Sequence, residues 1–137
     1  MRKKPSDFEL QILGVLWGHP GSSVREVREL LPDGKDRAYT SVLSVMQVME
    51  QKELLRREKG KPGTGDRWSA AVGRAEVSKP ILRRLTEQVF GGRPSLVMQQ
   101  LLDADSLDPG EIEKIRELLA DYDRSENETN SSREDLK

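Results

Sequence analysis

Thr40, Ser44, Gln47 and Gln51 recur at steps of four, three and four residues within a stretch, 36–52, that holds no proline or glycine. A helix turns roughly 100° per residue, so these side chains share one side of it while Val42, Val45, Met46 and Met49 share the other. The first set is uncharged and carries hydrogen-bond donors and acceptors. Such a row can read base edges in a DNA major groove, where each base pair presents its own pattern of donors, acceptors and methyl groups. Thr40, Ser44 and Gln47 are the base-reading candidates, and Leu43, on the margin of that face, is placed for a thymine methyl. Arg37 and Tyr39, at the start of the helix, are placed beside phosphate or an outer base. A polar helix face also occurs as plain surface, usually covered with Lys and Glu, so the elements around it decide the assignment.

The residues upstream supply a platform. Ser6-Asp7-Phe8-Glu9 has the spacing of a capping box and predicts a first helix, with Phe8, Ile12, Val15 and Leu16 as its apolar stripe, widened by Leu13 and Trp17. Gly18-His19-Pro20-Gly21 ends it. Ser23-Val24-Arg25-Glu26 repeats the capping-box spacing, and the second helix is expected to turn Val24, Val27, Leu30 and Leu31 inward before Pro32. Asp33-Gly34-Lys35 reads as a turn and Asp36 as the cap of the third helix.

Downstream, Leu54 to Lys59 and Asp66 to Ala70 flank Gly60-Lys61-Pro62-Gly63-Thr64-Gly65, which predicts two strands around a loop. Residues 56–67 hold Arg56, Arg57, Lys59, Lys61 and Arg67 against Glu58 and Asp66. Three helices followed by a basic hairpin predict a winged helix-turn-helix, with the third helix as reader and Arg57, Lys59, Lys61 and Arg67 on phosphate. Trp68 is expected to be core at the base of the wing, and Arg2, Lys3 and Lys4 read equally as additional phosphate contacts or as a solvated, unstructured end.

From about Arg74 the pattern is helical throughout. Val77, Ile81, Leu82, Leu85 and Val89 form one stripe, and Leu96, Val97, Leu101 and Leu102 a second. Asp108, Pro109 and Glu111 start a last helix carrying Ile112, Ile115, Leu118, Leu119 and Tyr122. These faces are too few to close a core alone, which predicts a two-fold dimer interface built on Val77, Ile81, Leu85, Val89, Ile112, Ile115, Leu118 and Leu119 in preference to folding back on the first domain. The expected organisation is mainly α: a winged helix-turn-helix DNA-binding domain over 1–72, an α-helical dimerisation domain over 73–123, and a disordered tail over 124–137.

Composition narrows the classes. The apolar fraction of 34% is low for a self-sufficient globule, in keeping with a core completed by a second chain. The net charge of −1 divides into +3 over residues 1–72 and −4 over 73–137, so the basic part coincides with the helix and hairpin. No cysteine is present, hence no disulfide or thiolate metal site, and the single histidine, His19, sits in a Gly-Pro turn. The Gly-rich hairpin loop lacks the order of a phosphate-cradling loop, and Asp103 with Asp105 is read as a solvated pair. Neither catalysis, a metal nor a cofactor is expected. The apolar run after the basic start is broken by Glu9, Gln11 and Gly14, so no signal peptide or membrane span is read and the expected location is cytoplasmic. A winged helix that docks a protein instead of DNA is the alternative reading.

The chain also resembles the BlaI/MecI penicillinase-repressor family from about Ser6 to Asp121. The resemblance is carried by Glu9 to Leu13 with Val15-Leu16-Trp17, by Val24 to Val27, by Ala38-Tyr39-Thr40-Ser41-Val42-Leu43, and by Phe90-Gly91-Gly92 ahead of Ser95-Leu96-Val97. It implies a homodimeric transcriptional repressor on a dyad operator, released when a sensor-linked protease clips the C-terminal domain. Members cleaved in this way carry Asn-Phe where this chain reads Gln99-Gln100, and related copper-responsive members carry a C-terminal cysteine cluster that is missing here. The glycine usual after the recognition helix is Glu53, and a frequent arginine near the helix end is Val48. The sensor or protease is not identified by the sequence.

Overall fold

The computed structural model describes residues 4–103 and 107–135, with side chains through 129 in the last helix. Its elements are α1 (Asp7–Gly18), α2 (Val24–Leu30), a single 3-10 turn (Gly34–Asp36), α3 (Tyr39–Gln51), β1 (Leu55–Glu58), β2 (Arg67–Ala70), α4 (Arg74–Val89), α5 (Pro94–Leu102) and α6 (Pro109–Asp135). The chain divides into two compact units, Met1–Arg84 and Leu85–Lys137.

Both predicted capping boxes form. The Glu9 and Glu26 amides donate to the hydroxyls of Ser6 and Ser23, and the Ser6 and Ser23 amides donate to the glutamates in return. The helix starts are therefore fixed locally. The core of the first unit joins Ile12, Leu13 and Leu16 of α1, Val24 and Val27 of α2, and Val42, Met46 and Met49 of α3 to Leu54, Leu55, Trp68 and Val72 around the hairpin. β1 and β2 pair antiparallel, with Leu55 opposite Ala70 and Arg57 opposite Trp68. Ser22, between α1 and α2, adds a bridge on the other edge of β2: the Trp68 amide donates to its carbonyl at 2.8 Å and its own amide donates to Trp68 at 3.1 Å. Three helices, a bridging turn and a hairpin make this unit a winged helix.

Three expectations are corrected, and the first unit extends past its expected end. Leu30 is exposed, because α2 ends there and the extended backbone at Leu31 (φ −68°, ψ 143°) turns Leu31 alone into the core. Asp36 does not cap α3; it closes the 3-10 turn, and α3 starts after Ala38 without a side-chain cap. The first unit runs on into α4, where half-buried Val77 packs against the winged core. The segment from Arg124, expected to be disordered, continues α6 to Asp135; no glycine or proline interrupts it, and Arg124 pairs with Asp121 one turn back. Residues 136 and 137 of that tail lie outside the described residues.

The second unit buries little. Leu85, Val89, Leu101, Leu102, Leu118, Leu119 and Tyr122 are all exposed, while Ile112 and Ile115 are half-buried. No helix among the described residues is long and apolar enough to cross a membrane.

Candidate nucleic-acid interface

The sidedness of α3 follows its sequence. Val42, Met46 and Met49 are fully buried, and Thr40, Ser44, Gln47 and Gln51 are exposed along the opposite side. The Ser44 hydroxyl donates to the Thr40 carbonyl at 2.8 Å, so it faces outward with lone pairs and acts as an acceptor. Tyr39 stands 47% exposed in the first turn. Leu43, by contrast, is half-buried and packs against the core. The apolar side chain on the outward face is Val48, 44% exposed one turn beyond Ser44. Periodicity could have placed it there, since residues 44 and 48 lie within about 40° of each other on a helix.

Both ends of α3 are held by contacts distant in sequence. At its start, Gly34 is buried so tightly that a Cβ would lie 1.7 Å from the Arg28 carbonyl oxygen, and Arg28 Nε donates to the Arg37 carbonyl at 2.6 Å. At its end, Lys52 Nζ donates to the buried Glu9 carboxylate at 3.0 and 3.3 Å. Burial on its own raises the Glu9 pKa; the Ser6 amide and hydroxyl and the Lys52 ammonium outweigh it and hold the group below its ordinary value. The pair clamps the recognition helix to the first turn of α1.

After Lys52 the chain reverses through Glu53 at φ 64°, with the Leu54 amide donating to Met49 and the Glu53 amide to Glu50. This left-handed helix stop favours glycine, because a Cβ in that region costs about 1–2 kcal/mol. Glycine gives part of that back through the unfolded chain, so Glu53→Gly is expected to stabilise the protein by about 0.5–1 kcal/mol, read as a raised urea midpoint at unchanged slope.

The basic residues divide into two sets. Arg37 is half-buried: its Nε pairs with Asp33 at 2.9 Å and its guanidinium stacks 3.8 Å from the Phe8 ring. Arg57 pairs with Glu50 at 3.1 Å and Asp66 at 3.6 Å and lies 5.1 Å over Trp68, which fixes the hairpin on α3. These two, assigned to phosphate from the sequence, are each held by carboxylates of the fold and keep 35% and 39% of their side chains exposed. Lys59 and Lys61 are exposed and enter no ion pair among the described residues, and exposed Arg67 donates to the Gly21 carbonyl at 3.0 Å. Arg56, opposite Ser69 on β1, is a further exposed cation that the strand alternation makes available. Lys4 is exposed, while Arg2 and Lys3 lie outside the described residues. Trp68 is buried, as expected for wing-base core. Among the described residues no three His, Cys, Asp or Glu side chains group to hold a metal.

An uncharged polar row on the third helix, set on a two-helix platform beside a hairpin with exposed cations, defines a winged helix-turn-helix DNA-binding regulator. The chain belongs to the penicillinase repressor family of transcriptional repressors, whose sequence profile matches residues 5–121. Among solved structures, a point mutant of MepR from S. aureus aligns at 18% identity and a TM-score of 0.45, covering 88% of this chain and 80% of that one. A second MepR mutant, from a multidrug-resistant S. aureus clinical isolate, aligns at 17% identity and a TM-score of 0.42, covering 88% and 78%. No curated protein matches the chain in sequence.

Proposed function

We propose that the chain represses transcription as a homodimer, each winged unit reading one half of a dyad-symmetric operator. The observation that carries this is the exposed Thr40, Ser44, Gln47 and Gln51 row on a helix whose other side buries Val42, Met46 and Met49. Gln47 can bond an adenine bidentately, Ser44 can accept from a base amino group, and Val48 takes the thymine-methyl role first given to Leu43. Lys59, Lys61 and Arg67 supply the sequence-independent grip on phosphate. Exposed leucines through α5 and α6 support pairing, since a two-fold partner offers the same apolar surface in return. The proposed location is cytoplasmic, where the DNA of a bacterial-type regulator lies. The sequence at Gln99-Gln100 offers no Asn-Phe pair, so release by another route than that cleavage is part of the proposal.

Selection of bound fragments from a random DNA pool tests this reading, with enrichment of a palindrome expected and a flat pool overturning it. Within the enriched site, Gln47→Ala is expected to reduce discrimination between cognate and scrambled DNA by about 1–3 kcal/mol, whereas Lys61→Ala should weaken all DNA alike and lower the salt slope by about one unit. Equal loss on every sequence for Gln47→Ala would remove it from base reading.

A further inference from the structure

Apart from the α3 face, the first unit contains an apolar cavity of about 350 Å³, the lower end of the range that holds small organic ligands. Leu54 and Val72 form one wall and Val77 and Ile81 of α4 the other. The first two residues are the feet of the wing: Leu54 immediately precedes β1, and Val72 follows β2. Among the described residues, charge in the lining is confined to Lys4, Glu76 and Arg84, two cations against one carboxylate on otherwise apolar walls. Lys4 and Arg84 are exposed, and their long stems let the charged ends reach the solvent edge while the methylenes line the cavity.

We propose that this cavity binds a small monocarboxylate with an apolar body, and that the ligand acts as an effector of the wing. An apolar body of about ten to twelve heavy atoms fills the space against Leu54, Val72, Val77 and Ile81, with a favourable free energy proportional to the area it removes from water. The excess of one positive charge at the edge selects an anion over an amine of the same shape. A dianion or sugar phosphate would leave its polar bulk against aliphatic walls. Because the ligand touches both feet of the hairpin and the helix that follows it, occupancy is coupled to where the wing cations stand. The effector clause rests on the DNA-binding reading; the site itself does not.

The test uses the full chain with methyl-labelled Leu, Val and Ile, titrated with 4-phenylbutanoate and, separately, with 4-phenylbutylamine, in the absence of DNA. Saturable shifts confined to Leu54, Val72, Val77 and Ile81 are expected with the acid and not with the amine. The Lys4→Ala/Arg84→Ala double variant, altered only at exposed positions, is expected to bind the acid about 10-fold or more weakly, as loss of charge-assisted contacts requires. Shifts of equal size with the amine, or none with either probe, would overturn the site. With the site occupied, operator affinity is expected to change at least about threefold; saturated lining methyls with unchanged affinity would overturn the effector role alone, and a chain that binds the acid but no DNA would fail the DNA reading instead.

Discussion

Trp68→Ala is expected to destabilise the winged unit by about 3–5 kcal/mol. The indole is 1% exposed and is among the largest fully buried side chains. Its backbone pairs on both sides, with Ser22 on one edge and Arg57 of β1 on the other. Removing the ring leaves a cavity under three elements that cannot all collapse together, since the hairpin is also tied to α3 through Arg57 and Glu50. Urea unfolding followed by circular dichroism checks this, and Trp68→Phe, which keeps most of the apolar volume, should recover more than half of the loss. A loss below about 1 kcal/mol would show that the wing base contributes little to the core.

The second large effect belongs to the Glu9–Lys52 clamp. Lys52→Met keeps the stem's apolar contacts but leaves a carboxylate, 5% exposed, without its cation. Breaking a fully buried pair from one side costs about 3–5 kcal/mol; Lys52 is 28% exposed and the Ser6 amide still serves Glu9, so about 2–3 kcal/mol is expected near pH 7. The pH dependence gives this prediction its signature. Glu9 titrates below its ordinary value in the folded chain, so its stabilising contribution is fully present above the unfolded glutamate pKa of about 4.3 and is lost as pH falls through the lowered folded value. In Lys52→Met burial is opposed only by Ser6 and the Glu9 pKa rises, so the variant protonates Glu9 sooner and its deficit against the parent shrinks towards pH 4. Unfolding curves at pH 7 and pH 4 read both quantities, and a deficit that stays constant with pH would dismiss the ion pair as its source. Since the clamp joins α1 to the end of α3, the variant should also bind its operator less tightly at temperatures where it remains folded.

The two sides of α3 and the two capping boxes were legible because helical periodicity and i, i+3 hydrogen bonding are local: Val42, Met46 and Met49 against Thr40, Ser44 and Gln47 need no other element to be sorted. The hairpin was legible for the same reason, from Gly60 to Gly65 between two short runs. Leu43 is half-buried and Val48 exposed although both lie near the boundary of the apolar face, because the packing of α1 and the hairpin sets where that boundary falls. Arg37 and Arg57 show the same limit from the charge side. A cation near a reading helix looks like a phosphate contact until Asp33, Glu50 and Asp66 are found beside it.

The sequence by itself determined the element order, the helix starts, the outward row of α3 and membership of a repressor family, since each depends on residues a few positions apart or on a run of matched motifs. Only the tertiary structure decided which cations stand beside carboxylates, that Glu9 and Lys52 hold the end of α3 in place, that Val77 packs against the winged core, and that a cavity opens between the wing feet and α4. Glu9 and Lys52, like Leu54 and Ile81, stand tens of positions apart and are joined only by burial and close packing, which have no period or spacing in the chain.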